Sequence, residues 1–87
     1  MKQITMFETS WCPYCKKAHN YMEELFRENP KYKELNIRYI DEEKEPDLAK
    51  KYDYYYVPTF YLDSEKFHEG VPNKEIIREL FDKALVL

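Results

Sequence analysis

The spacing of apolar and polar residues predicts an alternation of short strands and helices. Lys2 to Glu8 is rich in β-prone side chains and reads as a first strand. A turn through Thr9, Ser10 and Trp11 leads to Cys12, and Pro13 then stands at a helix start. Proline is favoured there because its missing N–H would have no helical partner anyway. The helix is expected from Pro13 to Glu28, where Cys15, Ala18, Met22, Leu25 and Phe26 fall on one stripe at helical spacing. Asn29-Pro30 stops it, Lys31 to Asn36 reads as a polar connection, and Ile37 to Ile40 as a short second strand.

Asp41 to Glu45 is a charge run, read as a solvated loop. Pro46 opens a short helix that is expected to reach about Tyr52, with Leu48 and Ala49 turned inward. Asp53 to Tyr56 forms a turn, Thr59 to Leu62 a third strand, Asp63-Ser64-Glu65 a hairpin turn and Lys66 to Glu69 a fourth strand. Gly70-Val71-Pro72 breaks the pattern, and Asn73 suits the N-cap of a last helix. Along that helix Ile76, Ile77, Leu80, Phe81, Ala84 and Leu85 recur at i, i+1, i+4, i+5, i+8 and i+9, while Glu79 and Lys83 pair on its outer face. The order β-α-β-α-β-β-α predicts an α/β domain spanning 1–87, with a mixed four-stranded sheet buried by three helices on its two faces.

Composition narrows the function. A chain of 87 residues suffices for one small domain, and nine Tyr, five Phe and one Trp make its core aromatic. A single glycine, Gly70, argues against phosphate-cradling loops and dinucleotide folds, which need several. A net charge of -3 argues against a nucleic-acid partner. No apolar run approaches a membrane span, and Met1 to Phe7 lacks the apolar stretch of a signal peptide. The expected location is therefore the cytoplasm, where disulfides are mostly transient and catalytic. Monomer is the default state at this size.

The cysteine count is the sharpest constraint. Cys12 and Cys15 are the only two, so there is no second pair to complete a zinc site, and a structural bridge closing so short a loop would add little. Cys12-Pro13-Tyr14-Cys15 lies where a strand ends and a helix begins. Unpaired N–H groups and the helix dipole favour a negative sulfur at that point, with Lys16 and Lys17 adding positive charge nearby. Cys15, on the apolar stripe one turn later, is expected to be the less exposed thiol. This asymmetry predicts that Cys12 attacks a substrate disulfide and that Cys15 then displaces the substrate. His19 extends the pattern to Cys-x2-Cys-x3-His, but without an evident fourth ligand it reads as a surface or half-buried helix histidine, and no metal is expected. His68 carries no motif.

Cys-Pro-Tyr-Cys resembles the active-site tetrapeptide of dithiol glutaredoxins. The element order, Val57-Pro58 before a strand and a glycine after the hairpin extend the resemblance over essentially the whole chain. It implies a thioredoxin fold, a cis Pro58 facing the cysteines, and a Val57 backbone that pairs with the substrate main chain. It also implies glutathione as co-substrate rather than any tightly bound cofactor. The substrate and glutathione contacts so implied are Trp11, Pro13, Tyr14, Lys16, Tyr56, Val57, Pro58, Gly70 and Val71. Tyr56 is expected either to line the substrate groove or to pack in the core.

Some positions depart from that pattern. Thr9 stands where glutaredoxins commonly have a basic residue, and Glu69-Gly70-Val71-Pro72-Asn73 replaces their Gly-Gly and acidic segment. Trp11 directly before Cys12 looks like thioredoxin, although thioredoxin's Gly-Pro dipeptide is absent and Met6 occupies the place of its buried acid. The Gly70 segment also looks like redoxins that thioredoxin reductase reduces. The expected function is thus a thiol–disulfide oxidoreductase acting on protein or glutathione-mixed disulfides. The alternatives are a redoxin dependent on thioredoxin reductase, or an iron–sulfur-binding glutaredoxin.

Overall fold

The computed structural model describes residues 1–86. Its elements are β1 (Ile4–Glu8), α1 (Pro13–Glu28), a 3-10 turn (Pro30–Glu34), β2 (Ile37–Asp41), α2 (Pro46–Ala49), β3 (Thr59–Leu62), β4 (Glu65–Glu69) and α3 (Lys74–Leu85). The four strands form one sheet in the order β2-β1-β3-β4. β1 runs parallel to β2, and β3 runs antiparallel to both β1 and β4, so the sheet is mixed as expected. The parallel pair needs a crossover connection, and α1 supplies it.

β1 is central and buried on both sides, which the side-chain alternation of a strand makes visible. Ile4 and Met6 face a core shared with α1 and α3, including Met22, Leu25, Phe60, Ile77, Leu80 and Phe81. Phe7 faces the other side, where Ile40, Ala49 and Tyr61 are buried with it. Its ring lies 4.7 Å from those of both Tyr52 and Tyr54. Val57 packs against both cores. Phe81 is fully buried and stacks on Phe26 at 5.5 Å. Truncating such a ring to alanine costs about 3–5 kcal/mol.

Several segments differ from the sequence reading: β1 begins at Ile4 rather than Lys2, and β2 runs on to Asp41 rather than stopping at Ile40. The stretch 31–36 is not merely a polar connection: Tyr32 is buried in the 3-10 turn, and its hydroxyl bonds Asp82 of α3. α2 stops at Ala49 rather than Tyr52, because the Tyr52 ring turns onto Phe7. β4 begins at Glu65, leaving Asp63 and Ser64 as the loop, with Asp63 at a positive φ of 52°. Asparagine and aspartate tolerate that conformation better than most residues.

Asn73 caps α3 as expected, its side-chain oxygen accepting the Ile76 N–H at 2.8 Å. Lys74 and Arg78 of α3 pair with Glu24 and Glu28 of α1, fastening the two helices along one exposed seam. Among the described residues no helix is long and apolar enough to cross a membrane.

Candidate active site

Cys12 is the N-cap of α1. It has extended backbone angles, and its sulfur accepts the Cys15 backbone N–H at 3.1 Å. A serine or aspartate oxygen usually does this work for the unpaired N–H groups of a first turn. Here a sulfur does it, so the helix start is bonded directly to the atom that would carry negative charge. Pro13 at the next position cannot compete for that place, and the Cys12 N–H reaches back to the Thr9 carbonyl to close the turn. On its other side the Cys12 thiol donates to the carbonyl oxygen of Val57, at 3.6 Å.

Exposure distinguishes the cysteines only slightly, since Cys12 is 4% and Cys15 2% accessible. The asymmetry is chemical. Burial pushes the Cys15 thiol up to about 12, and its hydrogen bond with Cys12 and the charge of Glu8 act the same way, while the Thr9 backbone opposes them. Cys15 is therefore held as a thiol at neutral pH. Both cysteines are free.

Pro58 follows a cis peptide bond from Val57 and is buried. Its carbonyl accepts the Gly70 N–H at 2.9 Å. Gly70 adopts φ +94°, a conformation that side chains rarely take, and this explains why the chain's single glycine stands there. The loop before Pro58 is held from below. The Glu69 carboxylate pairs with Lys66 and accepts the N–H groups of Tyr55 and Tyr56, and these partners, Lys66 foremost, lower it to about 2. The Thr59 hydroxyl donates to the Tyr56 carbonyl.

The structure divides the three consecutive tyrosines. Tyr54 packs on Phe7 and donates to Glu42, whereas Tyr55 and Tyr56 are 85% and 70% exposed. Of the two expectations for Tyr56, core packing is thereby excluded. Trp11, at 68% exposure, is also outward, but its indole N–H donates to Glu43 at 3.1 Å. Tyr14 is exposed, with the Lys17 ammonium 5.6 Å from its ring centre, and Lys16 and Val71 are exposed as well. Pro13 is also at the surface.

Sequence reasoning missed Glu8, Glu43 and Glu69. Glu8 closes β1 and bonds His19 of α1 at 2.7 Å, so His19 is half-buried and paired. A lone carboxylate at a strand end carries no motif, and only the packing of α1 on β1 brings its partner to it. Among the described residues no group of three or more His, Cys, Asp or Glu side chains is placed to hold a metal ion.

Comparison with known proteins adds an independent line. A family model described as a thioredoxin domain matches residues 2–82. A protein named thioredoxin from Methanocaldococcus jannaschii is 31% identical over 83 residues, covering 95% of either chain. The solution structure of an uncharacterized thioredoxin-like protein from Clostridium perfringens superposes with a TM-score of 0.69 at 35% identity, covering 98% of this chain and 71% of that one. A thioredoxin variant from Halobacterium salinarum superposes with a TM-score of 0.71 at 22% identity, covering 99% and 76% of the two chains, and is similar in fold.

Proposed function

The chain belongs to the thioredoxin domain family, and on that premise we propose that it is a thioredoxin-type protein disulfide reductase, renewed by a thioredoxin reductase rather than by glutathione. One observation carries the reading: the Cys12 sulfur is bonded to the first turn of α1 through the Cys15 N–H, while Cys15 itself is kept as a buried thiol. That pair supports an ordered exchange. Cys12 attacks one sulfur of a substrate disulfide and releases the other as a thiolate. Cys15 then attacks Cys12, the mixed disulfide breaks, and the substrate leaves reduced while the protein holds a Cys12–Cys15 bond. The Val57 carbonyl beside Cys12 and the exposed Tyr56 ring suit an extended substrate segment laid across Pro58. The natural partners are then proteins with accessible disulfides, met by a monomer in the cytoplasm.

The reductant is argued from charge. Glutathione carries two carboxylates that need cations or free N–H donors. Near Gly70 the cations are engaged elsewhere, Lys66 by Glu69 and Lys74 by Glu24 and Glu28. The Asn73 side chain is spent on capping α3. The second reading, a glutathione-dependent glutaredoxin, rests on the Cys-Pro-Tyr-Cys tetrapeptide itself.

The two readings separate in one experiment. The oxidised protein is followed by Trp11 fluorescence while it receives either glutathione or NADPH with thioredoxin reductase. Reduction by the reductase and not by glutathione is the expected result. Fast reduction by glutathione alone would overturn the choice of reductant and restore the second reading.

A further inference from the structure

Glu69 is the last residue of β4, and in the sheet it stands directly opposite Thr59, the residue after Pro58. Side chains of such a cross-strand pair lie on one face of the sheet. Here both reach the same neighbour. The Glu69 carboxylate accepts the Tyr56 N–H at 2.9 Å, and the Thr59 hydroxyl donates to the Tyr56 carbonyl. Both backbone polar groups of Tyr56 are thus taken by side chains, and the Tyr55 N–H is bonded to the same Glu69 oxygen. Residues 53–58 belong to no helix or strand, so these bonds supply the order that a regular element would give.

An irregularity in β4 sets the carboxylate in place. Phe60 lies opposite His68 but Tyr61 lies opposite Lys66, so Phe67 is an extra residue on that strand. In a regular strand, residues three apart point to opposite faces. The extra residue brings Lys66 to the side of Glu69, where its ammonium meets the second carboxylate oxygen at 2.7 Å. Bulges of this kind re-aim side chains beside active sites. One oxygen of Glu69 is then engaged by Lys66 and the other by two amides. Among the described residues none of its side-chain hydrogen bonds reaches Cys12 or Cys15, so its influence falls on docking and not on the exchange itself.

We propose that Glu69 is a positioning residue for the substrate: by gripping the Tyr55 and Tyr56 amides from β4, it holds the exposed Tyr56 ring beside Val57 and Pro58 for a protein disulfide to dock on. The inference rests on the exchange reading above. Tyr56 is 70% exposed, so its ring has little packing to fix it, and its direction is set by the backbone that Glu69 and Thr59 hold. A ring ordered before binding loses less freedom on contact, and the avoided ordering cost appears as affinity.

A double-mutant cycle on KM tests the proposal. Reduction of insulin is followed with excess dithiothreitol recycling the protein, so the outcome is independent of the natural reductant. Water can replace the carboxylate at both exposed amides, so Glu69→Ala is expected to fold. It is expected to raise KM by about 5-fold at unchanged kcat, the value of ordering one side chain. In a Tyr56→Ala background the same substitution raises KM by less than about 2-fold, because the group it positions is gone. Glu69→Gln keeps an oxygen to accept the amides and loses the charge, and its KM stays within about 2-fold of the unsubstituted value. An unchanged KM in Glu69→Ala overturns the proposal, as does an equal rise with and without the Tyr56 ring. A Glu69→Gln as impaired as Glu69→Ala also overturns it, since charge and not the grip would then be acting. Failure of the unsubstituted protein to reduce insulin would instead overturn the exchange reading, and this inference with it.

Discussion

The Cys12 sulfur lies 3.6 Å from the carbonyl oxygen of Val57 and 3.1 Å from the backbone nitrogen of Cys15. It therefore has an acceptor on one side and a donor on the other. As a thiol it satisfies both. As a thiolate it keeps the Cys15 donor and faces the Val57 oxygen with nothing to offer. Under the proposed exchange, that oxygen would then be free for the main chain of an incoming substrate. On that reading the same atom pair links ionisation of Cys12 to the availability of the Val57 carbonyl.

Selective alkylation checks the division of labour between the cysteines. Brief treatment of the reduced protein with iodoacetamide at neutral pH is expected to modify Cys12 at least roughly 10²-fold faster than Cys15, because the reactive species is the thiolate and Cys15 is held up at about 12. Peptide mapping by mass spectrometry reads the ratio. Cys15→Ser should accumulate mixed disulfides through Cys12, and Cys12→Ser should show no reductase activity. Retention of activity in Cys12→Ser would remove the basis for the assignment.

Tyr56 is 70% exposed, so its ring contributes little to the folded state. Tyr56→Ala is expected to leave the urea midpoint essentially unchanged and to raise KM for a protein disulfide by about 10-fold, the value of a well-placed aromatic contact of about 1.4 kcal/mol. A fall in stability with KM untouched would place the ring in the scaffold instead.

Gly70 tests the backbone. Apart from its chain neighbours, no residue has an atom within 4 Å of where its side chain would stand, so the cost of Gly70→Ala arises from φ +94°. About 1–2 kcal/mol of stability should be lost, read from chemical denaturation. Gly70→Asn should lose less, since asparagine tolerates positive φ better. Equal losses for the two would point to a lost contact rather than to conformation.

The Glu8–His19 pair makes stability depend on pH. The hydrogen bond with Glu8 raises the His19 value above that of a free histidine, against the effect of burial. The folded protein binds the proton more tightly, so this contribution is complete below the unfolded value of about 6.5 and disappears as pH rises through the raised folded value. With the ring 42% exposed, screening keeps it under about 1 kcal/mol. His19→Gln should therefore be less stable than the unsubstituted protein at about pH 6, with the gap narrowing at about pH 9. A gap that does not change with pH would mean that only packing was lost.

Local signals carried much of this architecture. Pro13, the stripe from Cys15 to Leu25 and the Asn73 cap each act within a few residues, and α1 and α3 appear where those signals place them. Cys12 and Cys15 were legible for the same reason, as neighbours at a strand–helix junction. What stayed hidden depends on partners far along the chain. Tyr32 is drawn into the core by Asp82, fifty residues on. Glu69 read only as the end of a strand, yet it holds the backbone of Tyr55 and Tyr56 fourteen and thirteen residues earlier. The tyrosine run shows the limit plainly: its residues are identical in type, and only the position of Phe7 decides that Tyr54 turns in.

Val57 touches the hydrophobic cores on both sides of the sheet. The residue that borders the nucleophile is thus a shared tenant of two compartments that β1 otherwise separates. Volume changed in either compartment, at Ala49 of α2 or at Ala84 of α3, has a mechanical path to the same carbonyl. Repacking of the interior remote from Cys12 is thus expected to be felt at the Val57 carbonyl that its sulfur meets.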